Sequence, residues 1–373
     1  MTLRAPDFAD EIVAIFEERD AALTDIAIIQ PADPFLDMAG EDLRRRIFLT
    51  ESETGANLCL RPEFTIPVCR DHIDKRAATP QRYAYLGEVF RQQREGGAEF
   101  LQAGIEDLGT SDRAGADARS LADAHALLAR VLPGETLSVT LGDQAVFEAV
   151  LAALGLPRGW QMRLTRAFGS QTLLQAALDD LANPQGTANL PRAIAGLVAR
   201  GDEAALAEHV GTVMEETGLS PSAGRTPEEI ARRLIEKAEL RSVRLTDEAM
   251  SALKAFVSLR VPFAEAGERL SAFATDNGLI LDDALETFAA RAERIEAEGL
   301  PLDALTYDAG FGRPLDYYTG FVFEIAASDA VQPLAGGGRY DRLLTLLGAE
   351  TPIPGVGFSI WLDRVAALRE TAA

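Results

Sequence analysis

The chain has 373 residues, enough for one large domain of up to about 250 residues and a smaller insertion or second domain. Its 47% hydrophobic and 25% charged residues are ordinary globular values, and no apolar run approaches the roughly 20 residues of a membrane-spanning helix. Fifty-eight acidic against 36 basic residues leave a net charge of −22, which argues against a polyanionic partner such as tRNA: nucleic-acid binding relies on Lys and Arg that displace counterions from phosphates. Met1 to Asp10 lacks the basic start and apolar stretch of a secretory signal, so the cytoplasm is the expected compartment. Cys59 and Cys69 sit among apolar neighbours without a CxxC pair or a second Cys/His cluster, and read as reduced packing residues with no metal.

Asp7 to Leu23 carries Phe8, Ile12 and Phe16 at four-residue spacing, which predicts a helix buried on one face. Ile26 to Ile29 is a β-branched run stopped by Pro31 and Pro34, neither of which can donate a backbone hydrogen bond. Strands and turns alternate to about Asp107. A helix over Ser111 to Leu132, a strand over Leu137 to Leu141 and a helix over Gln144 to Leu154 follow. From Pro157 to Leu300 the texture is Ala, Leu, Glu and Arg with few β-branched runs. There Thr226-Pro227-Glu228-Glu229 has the form of a capping box, Asp282 to Ala297 reads as the closing helix with Gly299 as its C-cap, and Gly201-Asp202 and Ser220 to Arg225 read as loops. Beyond Leu302 the strand texture returns in Leu305 to Ala309 and Leu315 to Ala326, followed by a glycine run and two short helices. The expected fold is α+β, with a core formed by residues 1–155 and 302–373 and split by a mainly helical insertion at 156–301.

Gly336-Gly337-Gly338 is followed by Arg339-Tyr340-Asp341 and not by the Lys-Ser/Thr of a phosphate loop, and Gly310-Phe311-Gly312 lacks the third glycine of a dinucleotide loop. His72, His125 and His209 are few and scattered, and read as structural or surface residues. Five segments put ionisable groups inside apolar stretches: Leu60 to Thr65, Phe90 to Glu106, Gly312 to Gly320, Gly336 to Asp341, and Gly355 to Arg364. A buried charge must be paired or serve a ligand, because left alone it costs several kcal/mol. Any one segment alone is well explained by a structural ion pair.

Taken in order, the segments resemble the catalytic core of histidyl-tRNA synthetase, a class II aminoacyl-tRNA synthetase with an antiparallel sheet flanked by helices. Ala27 to Pro34 looks like motif 1, Phe90-Arg91 like the opening of motif 2, and Gly357 to Arg364 like motif 3. Arg313-Pro314-Leu315-Asp316-Tyr317-Tyr318 is similar to the family's first histidine-specific motif, with Pro314 where Gly is normal, and Ala335 to Asp341 to its second. The resemblance covers Asp7 to Leu368. It implies a histidine-binding set in which Glu63, Thr65 and Gln102 meet the α-ammonium, Arg313 the carboxylate, and Glu106 and Tyr318 the imidazole, with Tyr340 lining the pocket and Arg91 and Tyr317 beside them. Histidine offers a cation, an anion and a ring with two polar nitrogens, and these residue types suit it.

The adenylation machinery departs from the family pattern. Gln93 stands in the motif 2 Glu position, the loop Gln92 to Glu99 is short with Ala98 in place of a basic residue, and Trp361 replaces a motif 3 glycine where an indole would fill nucleotide space. Only about nine residues follow Arg364, so an anticodon-binding domain is not expected. These departures match the paralogous family of ATP phosphoribosyltransferase regulatory subunits, and no catalytic residues or cofactors are expected. The resemblance implies a dimer that joins a short-form catalytic subunit in a hetero-octamer, enables the synthesis of phosphoribosyl-ATP in histidine biosynthesis, and confers feedback inhibition by histidine as effector. The alternatives are a histidyl-tRNA synthetase-like enzyme without its anticodon domain and a free amino-acid-binding protein.

Overall fold

A computed structural model describes residues 6–38, 40–93, 97–184, 190–217, 226–327 and 332–372. Its strands are β1 (Ala22–Leu23), β2 (Ile29–Pro31), β3 (Leu49–Glu51), β4 (Asn57–Leu60), β5 (Gln81–Phe90), β6 (Glu99–Leu108), β7 (Leu137–Asp143), β8 (Arg260–Pro262), β9 (Leu305–Asp308), β10 (Phe321–Ala327), β11 (Ala335–Arg339) and β12 (Gly355–Trp361). Nine of them form one sheet in the order β1-β5-β6-β12-β11-β10-β7-β9-β8, and β2, β4 and β3 form a small second sheet. Pairing is antiparallel except between β1 and β5 and between β7 and β9. The architecture is α+β, a largely antiparallel sheet with helices packed on it. Among the described residues no helix is long and apolar enough to cross a membrane.

The chain divides into two compact units, Met1–Val150 with Phe168–Ser170 and Phe256–Ala373, and Leu151–Ala167 with Gln171–Ala255. The first unit holds the large sheet, one face of which is covered by the Ala-rich helix Arg113–Val131, capped by Asp112 through a hydrogen bond from the Gly115 amide at 3.0 Å. Leu121, Ala124, Leu127 and Leu128 of that helix are fully buried, and small Ala side chains let it approach the strands closely. The second unit is helical, with Val198, Leu206, Ala231 and Ala238 in its core. There Thr226 and Glu229 form the expected capping box, each side chain accepting from the other's backbone amide at 3.3 Å. The Trp160 indole donates to the Leu240 carbonyl at 2.6 Å.

Several expected boundaries move. The first helix is Ala9–Glu18 and not Asp7 to Leu23, because Asp20 takes a left-handed backbone (φ 50°) and turns Ala22 and Leu23 into a strand beside Tyr83 and Ala84. The second unit stops at Ala255, whereas the sequence suggested an insertion reaching 301. Helices Phe263–Asp276 and Asp282–Ala297 belong with the sheet, since β8 pairs with β9, Phe288 packs edge-on against Tyr307 at 5.2 Å, and Arg291 pairs with Asp117 at 2.8 Å and with Asp143. Gly299 follows the latter helix with φ +75°, the backbone a C-terminal glycine supplies. The strand expected over Leu315 to Ala326 begins only at Phe321. Pro314 removes a donor, and the Leu315 amide turns back to the Arg313 carbonyl at 2.8 Å, so Arg313 to Gly320 is a folded loop. Ser220 to Arg225 lies outside the described residues.

Candidate functional site

The register of the sheet assembles a polar floor. Along β6 and β12, Gln102 lies opposite Trp361, Gly104 opposite Ser359, and Glu106 opposite Gly357. On β11, Gly336 and Gly338 lie opposite Ser359 and Gly357, and on β10, Glu324 and Val322 lie opposite Gly336 and Gly338. Alternation along each strand sends this set to one face. The glycines make room for charge. A Cβ on Gly357 would collide with the Glu106 carboxylate, and one on Gly336 with the Arg313 guanidinium. Gly357→Ala should therefore cost about 1–3 kcal/mol of stability through overpacking, read as a lower thermal midpoint; an unchanged midpoint would mean that Glu106 can move aside.

The walls come from Glu63 to Thr65 and the loop before β10. Both Glu63 oxygens cap the helix Thr65–Asp74, accepting from the Thr65 amide at 2.7 Å and the Ile66 amide at 2.9 Å. Burial pushes the Glu63 carboxyl up, opposed by those amides and by Arg91. The Thr65 hydroxyl donates to Glu106 at 2.7 Å, and the Tyr340 hydroxyl donates to its other oxygen. Burial pushes Glu106 up to about 8 in spite of both hydroxyls. Arg91, pushed down to about 10 by burial, donates to the Pro62 carbonyl at 2.7 Å. Tyr317 packs against Tyr318 and Tyr340 at ring separations of 5.0 and 5.9 Å. Arg313 pairs with Glu324 at 2.6 Å, while Trp361 lies 5.7 Å from the Arg313 guanidinium and 4.4 Å from that of Arg364.

These groups enclose a cavity of about 220 Å³. Eight of the nine residues named from the sequence line it: Glu63, Thr65, Arg91, Gln102, Arg313, Tyr317, Tyr318 and Tyr340. The ninth, Glu106, lies beneath and is reached through Thr65 and Tyr340. Gln102 Oε1 and Arg313 Nε are buried with no hydrogen-bond partner among the described residues. Both residues line the cavity, whose charged and polar lining suits a polar ligand.

Sequence reading missed Arg46, Glu324 and Ser359, which also line the cavity. Glu324 carried a signal, as the one charge in the strand Phe321–Ala327, but a single charge in an alternating strand reads as solvent-facing. Arg61, by contrast, is structural: it donates to the carbonyls of Glu88 at 2.7 Å and of Ile26, and lies over the Phe64 ring. His72 exchanges a hydrogen bond with the Tyr83 hydroxyl at 2.9 Å. Trp361 and Arg364 also border an adjoining cavity of about 370 Å³ that Arg46, Arg91, Gln93 and Glu99 line. Part of the Gln92 to Glu99 loop lies outside the described residues.

The fold and the pocket define a class II, histidyl-tRNA synthetase-like protein, and the histidyl-tRNA synthetase family profile matches residues 23–239 and 210–365. The chain is 70% identical over 369 residues to an ATP phosphoribosyltransferase regulatory subunit of Chelativorans sp. (strain BNC1), covering 99% of each. It is 68% identical over 372 residues to one of Mesorhizobium japonicum, covering 100% of each. Among solved structures, an ATP phosphoribosyltransferase regulatory subunit/histidyl-tRNA synthetase from Bacillus halodurans C superposes with a TM-score of 0.66 at 23% identity, over 96% of this chain and 77% of that one. The histidyl-tRNA synthetase of Nostoc sp. PCC 7120 gives 0.65 at 16% identity, over 98% and 71%. The chain belongs to the family of ATP phosphoribosyltransferase regulatory subunits.

Proposed function

We propose that the cavity above β6, β11 and β12 binds free histidine, and that its occupancy sets the activity of a separate catalytic subunit. The chain is a non-catalytic regulatory subunit of ATP phosphoribosyltransferase, the first step of histidine biosynthesis, so the chemistry belongs to its partner. The observation that carries the histidine reading is the gathering of Glu63, Gln102, Arg313 and Tyr318 around one cavity, with Glu106 beneath it behind Thr65 and Tyr340. Glu63, with Thr65 and Gln102, suits an α-ammonium; Arg313 suits a carboxylate; and Glu106 with Tyr318 suits ring nitrogens. The orphaned Gln102 oxygen would gain a donor from the ammonium.

Feedback then requires only that histidine bind one conformation of the assembly better than another, and this differential affinity bounds the inhibition it can exert. In this reading the cytoplasmic chain dimerises and assembles with short-form catalytic subunits into a hetero-octamer, without tRNA. Mixing the purified chain with a short-form catalytic subunit should raise phosphoribosyl-ATP formation, and added histidine should suppress it. A chain that neither stimulates nor sensitises that subunit would defeat the proposal.

A further inference from the structure

Arg313, the group that would receive a ligand's carboxylate, already holds a carboxylate of the protein. Its Nη1 donates to Glu324 at 2.6 Å and more weakly to the Phe323 carbonyl at 3.5 Å. The guanidinium is pinned: Gly336 lies against it with no room for a Cβ, Trp361 packs 5.7 Å away, and the side chain is 7% exposed. It cannot follow a ligand across the cavity, so a ligand must come to it. Glu324 is freer. Its side chain is 28% exposed, it lines the same cavity, and its strand position opposite Gly336 keeps it on the pocket face.

We propose that Glu324 is a built-in competitor for the ligand carboxylate at Arg313, so that binding an amino acid is an exchange of one carboxylate for another. This rests on the histidine reading of the cavity. Two carboxylates on one buried guanidinium repel each other, and the incoming one must either share Arg313 at a cost or displace Glu324 towards water. The device lowers affinity selectively for ligands that carry a carboxylate. It leaves the recognition of the ring and the ammonium by Glu63, Gln102 and Glu106 untouched. A pocket of unchanged shape is thereby given a weaker grip on the free amino acid.

The test is calorimetric titration of the full chain and its Glu324→Gln variant with histidine and with histamine, which keeps the ring and the amine but lacks the carboxylate. The exchange predicts that Glu324→Gln binds histidine about tenfold more tightly while histamine changes less than about threefold. Glu324→Ala should move histidine affinity in the same direction, and thermal melts establish that both variants fold. Equal or weaker histidine binding by both variants overturns the competition and leaves the histidine reading standing. Equal tightening of histidine and histamine also overturns it, because a general field effect then suffices. Histidine binding to neither wild type nor variant overturns the histidine reading, and this proposal with it.

Discussion

Asp117→Ala is expected to remove about 3–5 kcal/mol of stability, more than any other single substitution considered for this chain. Asp117 is 1% exposed and divides its two oxygens between two arginines, receiving Arg291 Nε and Arg339 Nε at 2.8 Å each. Arg291 also holds Asp143, and Arg339 holds Asp341 at 2.7 Å and the Arg113 carbonyl at 3.0 Å. The carboxylate thus joins the helix Arg113–Val131 to the helix Asp282–Ala297 and to β11. Truncating it leaves two guanidiniums in the interior, each short of an anion, and that desolvation is what the figure measures. Urea unfolding with an unchanged slope would report it directly. The exposed pair Arg130–Glu18 at 3.0 Å is the control, since screened surface pairs contribute less than about 1 kcal/mol. A loss of that small size on removing Asp117 would show that Asp143 and Asp341 suffice by themselves.

The second large effect is a pH dependence centred on Glu106. Its carboxyl is pushed from 4.5 up to about 8 by burial, with the Tyr340 and Thr65 hydroxyls opposing. Between those two values the folded chain keeps a proton that the unfolded chain releases. Stability from this group is therefore complete below about pH 4.5 and is lost as pH rises through 8, by up to about 1.4 kcal/mol per pH unit. Glu106→Gln imitates the protonated form and carries no such slope. The variant should gain on wild type progressively towards alkaline pH, by an amount on the order of 4 kcal/mol at pH 8. Stability curves for both proteins across this range decide the matter, and a flat difference would mean that Glu106 is ionised in the fold.

Local contradictions marked the segments that mattered, and the family resemblance gave them their meaning as a fold and a candidate site. A carboxylate at Glu63 or Glu106, an arginine at Arg313 and a tyrosine at Tyr340 stand inside apolar, strand-forming sequence, where an ionisable or polar group needs a partner or a ligand. The capping box at Thr226 and the terminal glycine at 299 announced themselves for the same reason: each motif satisfies a backbone need visible within a few residues. Features that depend on register were not legible. Gly336 to Gly338 argues against a strand on propensity, yet it is the strand β11, because glycine is what permits Arg313 and Tyr318 to approach it. Glu324 gains its meaning only from lying opposite Gly336. Arg46, within Arg44-Arg45-Arg46, reads as one of a solvated run until the fold brings it to the cavity. The unit boundary at Ala255 was hidden because helices Phe263–Asp276 and Asp282–Ala297 share the composition of those before them, and their attachment to the sheet through Phe288 and Arg291 depends on residues distant in sequence.

The pairing of β6 with β12 sets a schedule for the chain's birth. Glu106 and Gly357 are neighbours in space but about 250 positions apart in sequence, with the helical unit synthesised between them. At about 5–20 residues per second, a ribosome delivers β12 tens of seconds after β6. During that interval β6 has β5 on one side, while its other edge lacks its eventual neighbour. Contacts of such long range also close slowly once available. The floor of the cavity therefore cannot be completed until β12 has been made, near the end of the chain's synthesis.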